Sequence, residues 1–222
     1  MSWKDATKEL FETVSSKKQS LVLYFGSSDD DLLSKIDFAE YVNNGLVTPV
    51  ALPKPEADSN KEPVENAKRS RVPGSKLKSD DLWKAYGVNK AKTFVITDCY
   101  GNETGRTAST KITKYLVKVG KSTKKKRGRV EELTDEAQEA MDEDDTKSAI
   151  QKLHKAFEES LVGYAESEQA KKLYSKLMES GRAKLKNAKD DIESLEVLES
   201  TFSNSDLDSE IRKAITDAKA SD

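Results

Sequence analysis

The sequence predicts an α/β fold with a central sheet of about four strands flanked by helices, followed by an all-α C-terminal region. Three observations predict it. Helical and strand periods alternate over residues 1–120, only the helical period continues after residue 130, and a basic run separates the two. Residues 1–120 carry 19 basic and 16 acidic side chains, 121–129 carry six basic and no acidic ones, and 130–222 carry 13 basic and 24 acidic ones. The boundaries read from this shift are a domain at 1–120, a basic linker at 121–129 and an α-helical domain of helical hairpins at 130–222.

Taken in order, Trp3, Leu10, Phe11 and Val14 fall at helical spacing, and Ser15-Ser16-Lys17-Lys18 ends that helix before the apolar strand Leu21-Val22-Leu23-Tyr24-Phe25. Ser28 or Asp29 is the expected cap of a second helix carrying Leu32, Leu33, Ile36, Tyr41 and Val42, which stops at Asn43-Asn44-Gly45. Leu46 to Leu52 reads as a strand. Pro49 removes a ladder donor from it, so an edge position or a bulge is expected. Residues 53–78 form a long polar connection with one short helix near Val64 to Lys68. Ser79 caps a helix through Leu82, Trp83 and Tyr86 that ends at Gly87. Thr93 to Thr97, a turn at Asp98-Cys99-Tyr100-Gly101, and Asn102 to Thr107 make a hairpin. A helix with Ile112, Tyr115, Leu116 and Val119 on one face closes the domain.

Composition narrows the function classes. The chain has 222 residues, 35% charged and 35% hydrophobic, enough for one large domain or two modest ones, each with a core. No apolar run approaches the roughly 20 residues of a membrane span. The N-terminus lacks the basic-then-apolar pattern of a secretory signal, so a cytoplasmic location is expected, or a periplasmic or exported one if a leader has been removed. One cysteine and one histidine, Cys99 and His154, exclude an intramolecular disulfide, a multi-cysteine cluster and a histidine-rich metal site. No cofactor and no metal is expected.

Local signatures within residues 1–119 resemble the thioredoxin-like fold, in particular bacterial proteins whose pattern after the first strand is F-x-G-S-D-W-C-x-x-C-K. Phe25, Ser28, Asp29 and Lys35 match that pattern without gaps, and Asp31 and Ser34 fall at its two cysteine positions. Tyr86-Gly87-Val88 through Thr93 resembles the family's Y-G-V-x-x-x-P-T, with Lys92 in place of the cis-proline. Asp98-Cys99-Tyr100-Gly101 and Gly105-Arg106 resemble its D-x-D-G hairpin and following G-R. The resemblance further implies that the first strand's neighbour, Leu46 to Leu52, is an edge strand, because the chain begins with a helix and lacks the extra N-terminal strand of longer thioredoxins.

The resemblance implies a retired redox site. Thiol–disulfide exchange needs a thiolate and a resolving thiol, which a carboxylate and a hydroxyl cannot replace. Lys92 is a poor holder of a cis peptide, which costs about 2.5–4 kcal/mol without proline. The acid run Asp29-Asp30-Asp31 reads as first-turn charge complementing a helix dipole. Cys99, the one thiol, falls at the hairpin turn.

In the second half, Asp144-Asp145-Thr146 opens a helix carrying Ala149, Ile150, Leu153, Ala156 and Phe157. Gly163 breaks it, and a long helix follows through Leu173 and Leu177 to Ala188. Asp190-Asp191 then precede Leu195, Leu198 and Phe202, and Asn204-Ser205-Asp206 precede Ile211 and Ile215. Ile150, Leu153, Phe157 and Ser160 align with Leu195, Leu198, Phe202 and Ser205 at a separation of 45 residues. That spacing is similar to the helix pairs of tetratricopeptide-like repeats, although longer than their roughly 34. A plain helical bundle gives the same pattern.

The expected function is a redox-inactive thioredoxin-like protein that binds another protein, and the expectation leans away from an enzyme. Two alternatives stay open: an oxidoreductase or redox sensor acting through Cys99, and polyanion binding through Lys124, Lys125, Lys126, Arg127 and Arg129. Nucleic acid is disfavoured because no aromatic residues interleave the basic run.

Overall fold

The structure, a computed structural model, describes residues 2–36, 38–55, 71–188 and 191–221. The chain divides into two compact units, one of residues 1–67 and 74–126 and one of residues 68–73 and 127–222. Among the described residues, no helix is long and apolar enough to cross a membrane. The short helix expected near Val64 to Lys68 lies outside the described residues.

The first unit is α/β. Its elements are β1 (Lys4–Asp5), α1 (Lys8–Ser16), β2 (Ser20–Phe25), a 3₁₀ helix (Asp31–Lys35), α2 (Ala39–Asn43), β3 (Val47–Leu52), a second 3₁₀ helix (Lys76–Lys78), α3 (Leu82–Ala85), β4 (Thr93–Thr97), β5 (Glu103–Thr107) and α4 (Thr113–Leu116). The strands form a five-stranded mixed sheet in the order β1-β3-β2-β4-β5. β3 runs parallel to β1 and β2, whereas β4 runs antiparallel to β2 and β5. Strand alternation sorts β2 between two layers. Leu21, Leu23 and Phe25 pack with Phe11, Val14 and Trp83, while Val22 and Tyr24 pack with Phe38, Phe94 and Ile112 on the other face.

Two expectations need correction here. The sheet has five strands rather than about four, and β3 is not at its edge, because β1 pairs with Val50 and Ala51. Two exposed charged residues give no alternation to read. Pro49 is nonetheless accommodated. Ser20 N donates to Leu46 O and Gly26 N to Leu52 O, each at 2.9 Å. The even-numbered residues of β3 therefore bond to β2, and the missing Pro49 donor faces away from it, next to the point where β1 begins. Trp3 likewise lies outside the first helix, which Thr7 caps through Leu10 N at 3.1 Å. It packs instead on Tyr24, Phe38 and Phe94.

Residues 121–129, read from the sequence as a basic linker, are helical. They belong to α5 (Val119–Asp142), within which the two units change over between Lys126 and Arg127. Lysine and arginine are good helix formers. The inward positions Val119, Thr123, Val130 and Leu133 recur at helical spacing, but Thr123 alone bridges Val119 and Val130, too thin an apolar stripe to stand out.

The second unit holds α6 (Thr146–Glu158), α7 (Ala165–Ala188), α8 (Ile192–Thr201) and α9 (Asp208–Ser221), each packed on the next. Asp145 and Asp191 cap α6 and α8 through the Ser148 and Ser194 amides. One core of Leu133, Ile150, Leu153, Leu173, Phe202 and Ile211 runs through the unit, and Val72 packs against it.

Candidate functional site

The residues read as replacing a redox pair sit just past β2, and the side chain that organises them is Asp30. The cap is Asp30 rather than Ser28 or Asp29: its Oδ1 accepts from Leu32 N at 3.0 Å and so opens the 3₁₀ helix. Its Oδ2 accepts from the Tyr24 hydroxyl at 2.8 Å and lies 3.2 Å from Lys92 Nζ. Gly26 makes room for this. A Cβ there would stand 2.6 Å from the Tyr24 ring and 2.9 Å from its hydroxyl.

Lys92 is pinned at both ends. Its backbone N–H donates to Phe25 O at 2.8 Å, its φ is 61°, and no cis peptide occurs among the described residues. Asp31 and Ser34 are exposed on the 3₁₀ helix, joined by a bond from Ser34 Oγ to Asp31 O at 2.7 Å. The structure therefore gathers Lys92 to the carboxylate next to Asp31. Tyr24 and Asp30 were missed by sequence reasoning, because Asp30 and Lys92 meet across 62 residues and Tyr24 reads as an ordinary strand residue.

The electrostatics suit a fixed ion pair. The Leu32 amide, then the Tyr24 hydroxyl, then Lys92 hold the Asp30 carboxyl below its usual range, and burial followed by Asp30 raises the Tyr24 phenol. Because the folded pKa of Asp30 is the lower one, its contribution to stability is present above the unfolded value of about 3.9 and is lost as pH falls through the folded value. Asp30→Asn is expected to be less stable than wild type at about pH 7, with the difference shrinking as pH falls from about 3.9 through the lower folded value. Denaturant unfolding across that range checks it, and a gap that stays constant with pH would refute the ionic role.

Cys99 is 6% exposed in a turn built around Asp98. That carboxylate accepts from Tyr100 N at 2.9 Å, Asn102 N at 3.0 Å and Asn102 Nδ2 at 2.9 Å. Lys92 precedes β4 and Cys99 follows it, so a five-residue strand of about 17 Å separates them. The thiol cannot reach the Asp31–Lys92 end of the sheet.

A cleft of about 460 Å³ opens where β3 ends, walled by Thr7, Phe11, Leu52, Pro53, Asp81 and Trp83. Trp83 Nε1 donates to Leu52 O and Pro53 O, both at 3.2 Å, and fixes the ring against the strand end.

Among the five candidate anion-binding residues, three are engaged. Lys126 Nζ donates to Glu103 O at 3.3 Å, Arg127 pairs with Glu166 at 2.6 Å and stacks over Tyr164, and Arg129 pairs with Glu132 at 2.7 Å. Lys124 and Lys125 are exposed. His154, half-buried against Tyr174, has its pKa lowered by burial and then by Arg71. No group of His, Cys, Asp and Glu side chains suited to a metal ion occurs among the described residues. No protein family, curated protein or solved structure matches the chain.

Proposed function

We propose that residues 1–120 form a thioredoxin-like domain that has lost redox chemistry and binds another protein at the end of the sheet where β2 and β3 finish. The observation that carries this reading is the Tyr24–Asp30–Lys92 cluster, which puts a fixed ion pair at the end of β2 where the resemblance expects a thiol pair and a cis-proline. Three further features support it. The parallel β3–β2 pair followed by the antiparallel β2–β4–β5 set fits the resemblance, with β1 in the place of the additional strand of longer thioredoxins. Asp31 and Ser34 offer no thiolate. The cleft beside Trp83 opens at the carboxyl ends of parallel strands, the usual place for ligands in open α/β sheets. The hairpins α6–α7 and α8–α9 add a second surface suited to packing rather than catalysis.

The test restores what is missing. Residues i and i+3 of a 3₁₀ helix eclipse one another, so cysteines at these positions fall near the separation of about 4.4–6.8 Å between Cα atoms that a disulfide needs. Asp31→Cys/Ser34→Cys is expected to form an intramolecular disulfide on oxidation, read as the loss of two hydrogens by mass spectrometry, and to gain exchange activity. Wild type is expected to reduce no disulfide substrate. Wild-type activity that Cys99→Ser abolishes, or a double variant unable to close its disulfide, would count against the reading. Binding is tested by capture from native extract: proteins retained by wild type are expected to be lost with Asp31→Arg/Ser34→Arg, and a retained set that does not change refutes this end as the binding surface.

A further inference from the structure

We propose that the solvent face of α4 and the first turns of α5 is a docking surface for the phosphate backbone of double-stranded nucleic acid. Lys114 on α4, Lys118 in the turn after it, and Lys121 and Lys125 on α5 follow one another at spacings of four, three and four residues, the spacing that keeps side chains on one helical face and corresponds to about 16 Å of helix rise. The turn between the two helices keeps a helical backbone, with φ −63° and ψ −16° at Val117. All four lysines are exposed, and Ile112, Leu116, Val119 and Thr123 are buried on the opposite side.

Three features separate this line from an ordinary solvated face. None of the ion pairs among the described residues involves these four lysines, whereas Arg127 and Arg129, further along α5, each hold a carboxylate. Lys118 and Lys121 also crowd the start of α5, whose first turn has no acidic residue, so these two oppose the helix dipole. Finally, Gly120 flanks the line, and a Cβ there would meet nothing within 4 Å. Packing does not require that glycine, and it lowers helix propensity, yet it bares the helix backbone beside the lysines.

The chemistry selects the partner. Lysine is a point charge that suits phosphate oxygens without reading bases, and a row of four on one face suits the regularly repeated phosphates of a duplex strand. The lack of interleaved aromatic residues argues against stacking on single strands, but duplex backbone contacts need none. A bilayer is the weaker match, because the apolar side of these helices is buried in the core and only Val117, 63% exposed, is left beside the lysines to enter it.

The full chain is titrated against a fluorescent DNA duplex of about 25 base pairs, long enough to exceed the site. Affinity is expected to be independent of sequence and to fall roughly 100-fold between about 50 and 200 mM salt, a slope of about −3.6 for four phosphate contacts. Lys114→Gln/Lys118→Gln/Lys121→Gln/Lys125→Gln should abolish most of that slope and weaken binding at low salt at least 30-fold, roughly the electrostatic share. Its melting temperature should be close to that of wild type, since all four lysines are exposed and none holds an ion pair among the described residues. Arg127→Gln/Arg129→Gln should bind like wild type. Lack of duplex binding at low salt, equal affinity for poly-glutamate, tighter binding to phosphatidylserine vesicles than to duplex, or a quadruple variant that binds like wild type would each overturn the proposal.

Discussion

Asp98→Ala is expected to destabilise the sheet unit by about 3–5 kcal/mol. Asp98 is 4% exposed, and its carboxylate accepts two backbone amides and the Asn102 side chain within 3.0 Å. Hydrogen bonds to a charged acceptor contribute about 1.5–3 kcal/mol each, and buried donors left without a partner add their desolvation cost. Gly101 makes the turn less able to relax: its φ is 82°, and the Tyr86 hydroxyl donates to its carbonyl at 2.8 Å. Asp98→Asn retains an acceptor oxygen and should cost roughly half as much. Equilibrium unfolding of the two variants gives the comparison, and a loss under about 1 kcal/mol for alanine would mean that the turn is held by other contacts.

Gly181→Leu is expected to cost the helical unit about 3 kcal/mol, at the upper end of the usual range for overpacking. A Cβ at Gly181 would already stand 2.5 Å from Leu207 Cδ1 and 2.6 Å from two Phe202 ring atoms. Those side chains are 0% and 1% exposed, so the neighbouring core leaves them little room to withdraw. Gly181→Ala tests the sign, because alanine gains about 1 kcal/mol of helix propensity but meets the same ring. A net loss is expected there, and Gly181→Ala combined with Phe202→Leu should recover part of it. Calorimetric melting distinguishes the outcomes. A stabilised Gly181→Ala would show that α7 is not approached closely by the α8–α9 connection.

Legibility followed the range of the interactions. The strand Thr93–Thr97 was readable to the residue, because an apolar run bounded by turn residues is a local signal. The starts of α6 and α8 were readable for the same reason, although Asp145 and Asp191, read only as acids at or before a helix start, prove to be caps that bond amides three residues away. β1 was not readable. Its two exposed residues have no pattern of their own and become a strand only by pairing with Val50 and Ala51. The helical state of residues 121–129 was hidden as well, because composition reports their charge while the buried side is a few residues among many lysines.

At the candidate site, the sequence by itself determined that no thiol is available. The side chains at Asp31, Ser34 and Lys92 exclude a thiolate whatever the fold. Only the tertiary structure decided what stands there instead. Asp30, Tyr24 and Lys92 come together because β2 and β4 are neighbours in the sheet, so the residues just past the end of one meet the residue just before the other. It also decided which cations are engaged, since the Arg127–Glu166 pair depends on how α5 and α7 pack. Capping and periodicity act within a few residues of chain, whereas these contacts exist only after folding has brought distant segments within a few ångströms.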